Sequence, residues 1–143
     1  MEQKPIMIFH IVCDRQATTT MDLSNGGRVK IIPFGGTVES ELFTGKILPG
    51  AADIQVTNAA GVRHMCAKYM FEGVDQTGTP CHLYVENNGY FERDHAPKPF
   101  EATPTFKTDS KALESYLMGE HFRAEGHSQS CGPDIYIFDT NQK

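Results

Sequence analysis

The chain has 143 residues, 39% of them apolar and 22% charged, with a formal net charge of −5. That length suits a single domain, residues 1–143, and excludes two large domains, a complete Rossmann enzyme or a full (β/α)₈ barrel. Modest charge and evenly spread apolar residues argue against disorder, and the 13 Lys and Arg form no run that would neutralise a nucleic-acid backbone.

The predicted elements are mostly short strands. Ile6 to Cys13 opens the series, rich in β-branched and aromatic residues. Ser24-Asn25-Gly26-Gly27 is a turn signal, followed by a strand over Arg28 to Phe34 and then Gly35-Gly36. Val38 to Leu48 follows, broken at Gly45 and ended by Pro49-Gly50, a pair suited to a type II turn. Ala52 to Thr57 alternates with period two, and Val62 to Phe71 places Met65, Ala67, Tyr69 and Phe71 on one face. Thr79 to Asn88 is the next strand. Arg93 to Pro99 reads as a polar loop, and Phe100 to Thr108 is a strand whose Pro104 implies an edge or bulge. A helix is expected from about Ser110 to Met118, with Asp109 or Ser110 as N-cap and Gly119 beyond its end. Glu120 to Ala124 and Ile135 to Asp139 complete the strands.

Eight to ten strands at this spacing predict a single antiparallel β-barrel of about eight strands with one short C-terminal helix. Many strands carry polar residues on both faces, which a barrel explains if part of its lumen is polar and binds a ligand. Cys13, Cys66, Cys81 and Cys131 show no C-x-x-C pattern, so four reduced thiols in a cytoplasmic protein are expected. No apolar run reaches the roughly 18 residues of a membrane helix, so no membrane partner is expected.

The run Gly35-Gly36-Thr37, Gly45 and Leu48-Pro49-Gly50-Ala51-Ala52-Asp53-Ile54-Gln55 resembles the UPF0311, or DUF3237, family. That family shows G-G-T, then G-x-x-L-P-G-G-A-D-W-Q, A-R-Y, N-x-G and T-P-x-F-x-T. Ala67-Lys68-Tyr69, Asn87-Asn88-Gly89 and Thr103-Pro104-Thr105-Phe106-Lys107-Thr108 follow in the same order. The sequence departs from the pattern at Ala51, Ile54 and Lys68, where the family has Gly, Trp and Arg. The resemblance implies a β-barrel of the allene-oxide-cyclase and dirigent kind, whose relatives bind apolar molecules inside the barrel. It implies no defined activity.

The candidate catalytic residues are Asp53 and Tyr69: a carboxylate to move a proton and a phenol to polarise an oxygen. The candidate ligand-binding residues are Gln55, Gly36, Met65, Phe71, Asn87 and Thr105. Asp53 and Gln55 share a strand face, and the alternative is that this face meets solvent. Tyr69 is otherwise a core tyrosine satisfied by backbone. His82, Tyr84 and Glu86 share a face that reads as solvated, and no His and Cys spacing fits zinc, so neither a metal nor a cofactor is expected.

Three functions follow. The first is a non-enzymatic barrel holding a small apolar or aromatic metabolite. The second is a cofactor-independent isomerase or cyclase using Asp53 and Tyr69. The third is a filled barrel acting as a homo-oligomeric interaction module, for which outer rows such as Ala52, Ile54 and Val56 are the contacts.

Overall fold

The computed structural model describes residues 3–92 and 99–142. Its strands are β1 (Met7–Cys13), β2 (Thr19–Asp22), β3 (Arg28–Glu39), β4 (Phe43–Ile47), β5 (Ala52–Thr57), β6 (Arg63–Asp75), β7 (Pro80–Phe91), β8 (Phe100–Thr108), β9 (Phe122–His127) and β10 (Asp134–Asp139). One short helix, α1 (Glu114–Leu117), lies between β8 and β9. The predicted loop over Arg93 to Pro99 falls almost entirely outside the described residues.

All pairings are antiparallel, and β1 pairs both β10 and β3, which closes the sheet into an eight-stranded barrel. The ring runs β1, β10, β9, β8, β7, β6, then β5 with β4, then β3. β4 and β5 occupy one ring position, because both lie between β3 and β6. The register shows why they are separate. Thr37 faces Lys46, but Pro33 faces Ala52, so two extra residues are inserted between the strands. Leu48-Pro49-Gly50-Ala51 is therefore a bulge within one strand, with Gly50 at φ +105°. The expected Pro-Gly turn does not reverse the chain. The reversal comes earlier, where Ser40 Oγ accepts from Phe43 N at 3.1 Å.

Gly35-Gly36 likewise lies inside β3 rather than at its end. Gly36 has φ +149°, and a Cβ there would meet His10 O at 2.1 Å. The β1–β3 seam that closes the barrel passes over this bare backbone. Pro104 stays in register with Asn87 on β7 but lies beyond Ala102, the last residue of β8 paired with β9, so the β9 side of the strand is a local edge there. β2, an extra strand on β3, has no counterpart in the sequence reading. The helix is shorter than expected: Ser110 Oγ accepts from Leu113 N at 3.2 Å in the preceding turn, and regular helix begins only at Glu114, with Leu113 rather than Asp109 or Ser110 at its N-cap and no side-chain cap.

Inward-facing Met7, Phe9, Val38, Phe43, Phe71, Leu83, Val85, Leu113, Leu117 and Ile137 are fully buried. Most of them fill the barrel end where β8 leads into α1. At that end Asp75 accepts from Ser110 Oγ at 2.7 Å and from Thr77 Oγ1 at 2.6 Å, tying the β6–β7 turn to the start of the helix. These bonds hold the Asp75 carboxyl down at about 2. The other end of the barrel is not filled.

Candidate functional site

A cavity of about 260 Å³ occupies that second end. Apolar side chains form most of its wall: Ile11, Ile32, Phe34, Met65, Ala67, Phe91, Phe100 and Ile135. Ser128, Gln129, Gly132 and Pro133, between β9 and β10, close one side. Against this surface stand Asp53, Gln55, Arg63, Tyr69 and Asn87.

Strand register explains the convergence. Residues directly opposite in an antiparallel sheet share a face. Asp53 faces Ile32 on β3 and Ala67 on β6, and Ala67 faces Asn87 on β7. These residues form one inward row, with Asp53 and Asn87 flanking the small Ala67. In the adjoining row Gln55 faces Met65, which faces Gly89. Tyr69 is the next inward residue of β6 beyond Ala67.

The polar groups have a fixed direction. A guanidinium only donates, so Gln55 Oε1 accepts from Arg63 Nη1 at 3.2 Å. That orients the Gln55 amide so that its Nε2 donates to Asp53 Oδ2 at 2.8 Å. Arg63 is itself held over the Phe91 ring, 5.2 Å from its centroid. Asp53 Oδ1 is buried and has no hydrogen-bond partner among the described residues, and the same holds for Asn87 Oδ1. Burial pushes the Asp53 carboxyl upward, against the opposing effects of the Gln55 hydrogen bond and of Arg63, His64 and Lys30.

Tyr69 is 4% exposed, and its ring packs edge-on to Phe34 at 5.0 Å and to Phe71 at 5.7 Å. Its hydroxyl takes part in no hydrogen bond among the described residues, so the backbone partner of an ordinary core tyrosine is absent. Burial and the nearby Asp53 carboxylate push the phenol far upward, so it stays a protonated donor. Burial and Asp53 also raise the Cys13 thiol at the cavity wall, which keeps it protonated and weakly nucleophilic.

Of the residues singled out in the sequence, Asp53, Tyr69, Gln55, Met65 and Asn87 are brought together around the cavity. Phe71 lies outside its lining, fully buried in the packed half. Gly36 forms the β1–β3 seam and does not border the cavity. Thr105 is exposed on the outer face, because it pairs with outward Glu86 while its neighbours Pro104 and Phe106 point in. His82 also lies outside, between Asp109 at 2.8 Å and Glu72 at 3.5 Å. Arg63 was legible but missed: its period-two spacing from Met65, Ala67 and Tyr69 puts it on their face. Cys13, Phe34 and the Ser128 to Pro133 segment carried no such signal. Among the described residues no group of three His, Cys, Asp or Glu is placed to hold a metal ion, and no helix is long and apolar enough to cross a membrane.

Comparison with known proteins places this architecture. The family described as protein of unknown function DUF3237 matches residues 3–138. The chain belongs to the DUF3237 family. A UPF0311 protein of Clostridium acetobutylicum is 32% identical over 99 residues, an alignment covering 59% of this chain and 60% of that relative. Three crystal structures share the fold. A Clostridium acetobutylicum protein of unknown function has a TM-score of 0.75 at 24% identity, covering 97% of this chain and 99% of the other. A Rhodopseudomonas palustris protein of unknown function has a TM-score of 0.73 at 23% identity, covering 96% of each chain. A β-barrel-like protein of Acinetobacter baumannii has a TM-score of 0.73 at 21% identity, covering 96% of this chain and 94% of the other. At these identities the structures establish the DUF3237 barrel fold, and the chemistry of the lumen rests on this chain's own residues.

Proposed function

We propose that this DUF3237 protein binds a small, largely apolar or aromatic metabolite in the barrel lumen. One observation carries the reading: an apolar cavity of about 260 Å³ in which Asp53, Gln55, Tyr69 and Asn87 converge. Ligand sites are mostly apolar with a few well-placed polar groups. A cavity of roughly 150 Å³ takes benzene, so this one has room for a substituted or two-ring aromatic. Native mass spectrometry of the protein from its own host tests the reading. A retained adduct, lost when Ala67→Leu fills the lumen, is expected; bare polypeptide in both would count against it.

A second reading is favoured by Asp53 Oδ1 and the Tyr69 hydroxyl, both beside one cavity and both without hydrogen-bond partners among the described residues. In it Asp53 takes a proton from the carbon next to a ligand carbonyl, Tyr69 donates to the oxygen as charge develops there, and Asp53 returns the proton to a different carbon. The step is an isomerisation with no co-reactant, and it would place solvent deuterium in the product. Asp53→Asn should abolish that incorporation while ligand still binds.

A further inference from the structure

Resting on the lumen-binding reading, we infer that the ligand is a neutral, hydroxyl-bearing aromatic, a phenol or enol, whose polar end sits over Ala67 between Asp53 and Asn87. The inference comes from a mismatch in hydrogen-bonding type. Asp53 Oδ1 and Asn87 Oδ1 are both acceptors, both buried and both without a donor among the described residues. Asn87 is only 2% exposed, so solvent does not satisfy it. Buried polar groups are normally paired, and an unpaired one costs free energy that a suitable partner recovers.

The register puts both residues in one inward row on either side of Ala67. Two strand spacings place their Cα atoms roughly 10 Å apart. Both residues line the cavity and flank the smallest residue of that row, so the space above Ala67 lies between an aspartate and an asparagine side chain. The orientation of Asp53 is not free to change this. Arg63 fixes the Gln55 amide, which donates to Asp53 Oδ2 and leaves Oδ1 as the remaining acceptor.

A ligand carboxylate or phosphate would bring more acceptors to two that already lack donors. An apolar ligand would leave both unpaired. A hydroxyl supplies the donor, and two adjacent hydroxyls supply one to each side. The hydroxyl oxygen also accepts, which suits the Tyr69 phenol. An aromatic body suits the Phe34, Phe91 and Phe100 rings that line the cavity.

Calorimetric titration of the purified protein with four probes tests this: 2,3-dihydroxynaphthalene, 2-naphthol, 2-methoxynaphthalene and 2-naphthoate. The expected order is dihydroxy, then hydroxy, then methoxy, with the carboxylate weakest. 2-Naphthol should bind roughly tenfold more tightly than its methyl ether, about 1.4 kcal/mol. Asn87→Leu should reduce that preference. Asp53→Asn, which keeps an oxygen for Gln55 and turns an N–H inward, should reduce it without removing a buried side chain. Equal binding of 2-naphthol and its methyl ether would overturn the inference and leave lumen binding standing. Tightest binding of 2-naphthoate would overturn it in favour of an anion held by Arg63. Failure of all four probes to bind would overturn the inference together with the lumen reading.

Discussion

Replacing Ala67 with Leu asks whether the lumen is open. Ala67 is 8% exposed, lines the cavity and sits between Asp53 and Asn87 in one cross-strand row. Leucine adds three carbons. At about 0.8 kcal/mol per buried CH₂ they contribute about 2.4 kcal/mol if they enter empty apolar space. Fixing the leucine rotamer costs about 0.5–1 kcal/mol. The net expectation is a gain of about 1.5–2 kcal/mol. In a filled core the same change overpacks, with a loss of about 1–3 kcal/mol. The two architectures therefore differ in sign. Urea unfolding followed by circular dichroism reads it directly: the midpoint should rise with the slope unchanged. A midpoint that falls by the equivalent of about 1 kcal/mol or more would refute the open lumen. In the stabilised variant 2-naphthol binding should be lost.

Five other changes have defined outcomes. Gly36→Ala should cost at least about 2 kcal/mol, because its Cβ would meet His10 O at 2.1 Å and its φ is +149°. Gly35→Ala, with nothing within 4 Å of its Cβ, should stay within about 0.5 kcal/mol in the same urea experiment. Tyr69→Phe should leave the thermal midpoint within about 2 °C of wild type, because the lost hydroxyl has no partner among the described residues, yet should weaken 2-naphthol binding. Asp53 is raised by burial, so its contribution to stability is present below its unfolded value and lost as pH rises through its folded one. Asp53→Asn should remove that loss, giving a higher thermal midpoint than wild type at pH 8 and no advantage at pH 3.5. Asp75 runs the other way: held at about 2, its contribution is present above the ordinary Asp range and lost as pH falls through about 2. Asp75→Asn should flatten the acid side of the midpoint-against-pH curve.

The barrel was legible because its signals are local. Ala52 to Thr57 and Phe100 to Thr108 alternate with period two, and their observed bounds match the reading. Ala67 and Tyr69 declared their shared face in the same way. The Pro49-Gly50 bulge was not legible, because the same dipeptide serves a reversing turn and an inserted kink. Only pairing of β3 and β6 across both halves distinguishes them. Thr105 shows a different failure. Motif membership suggested a site, but strand parity turns its side chain outward. Phe71 shares a face with Tyr69, yet alternation does not say how far along the barrel packing ends and the cavity begins. Alternation alone left open which face of β5 turns inward; the cavity takes Asp53 and Gln55, and of the opposite row Val56 is exposed while Ala52 and Ile54 are half-buried.

The most direct test of lumen binding is methyl NMR during a 2-naphthol titration. Methyl resonances of Ala67, Ile32 and Ile135, which line the cavity, should shift together and saturate. Those of outward Val74 and Val56, both on the exposed face, should stay in place. Saturating shifts confined to the outer methyls, or none at all, would contradict the account.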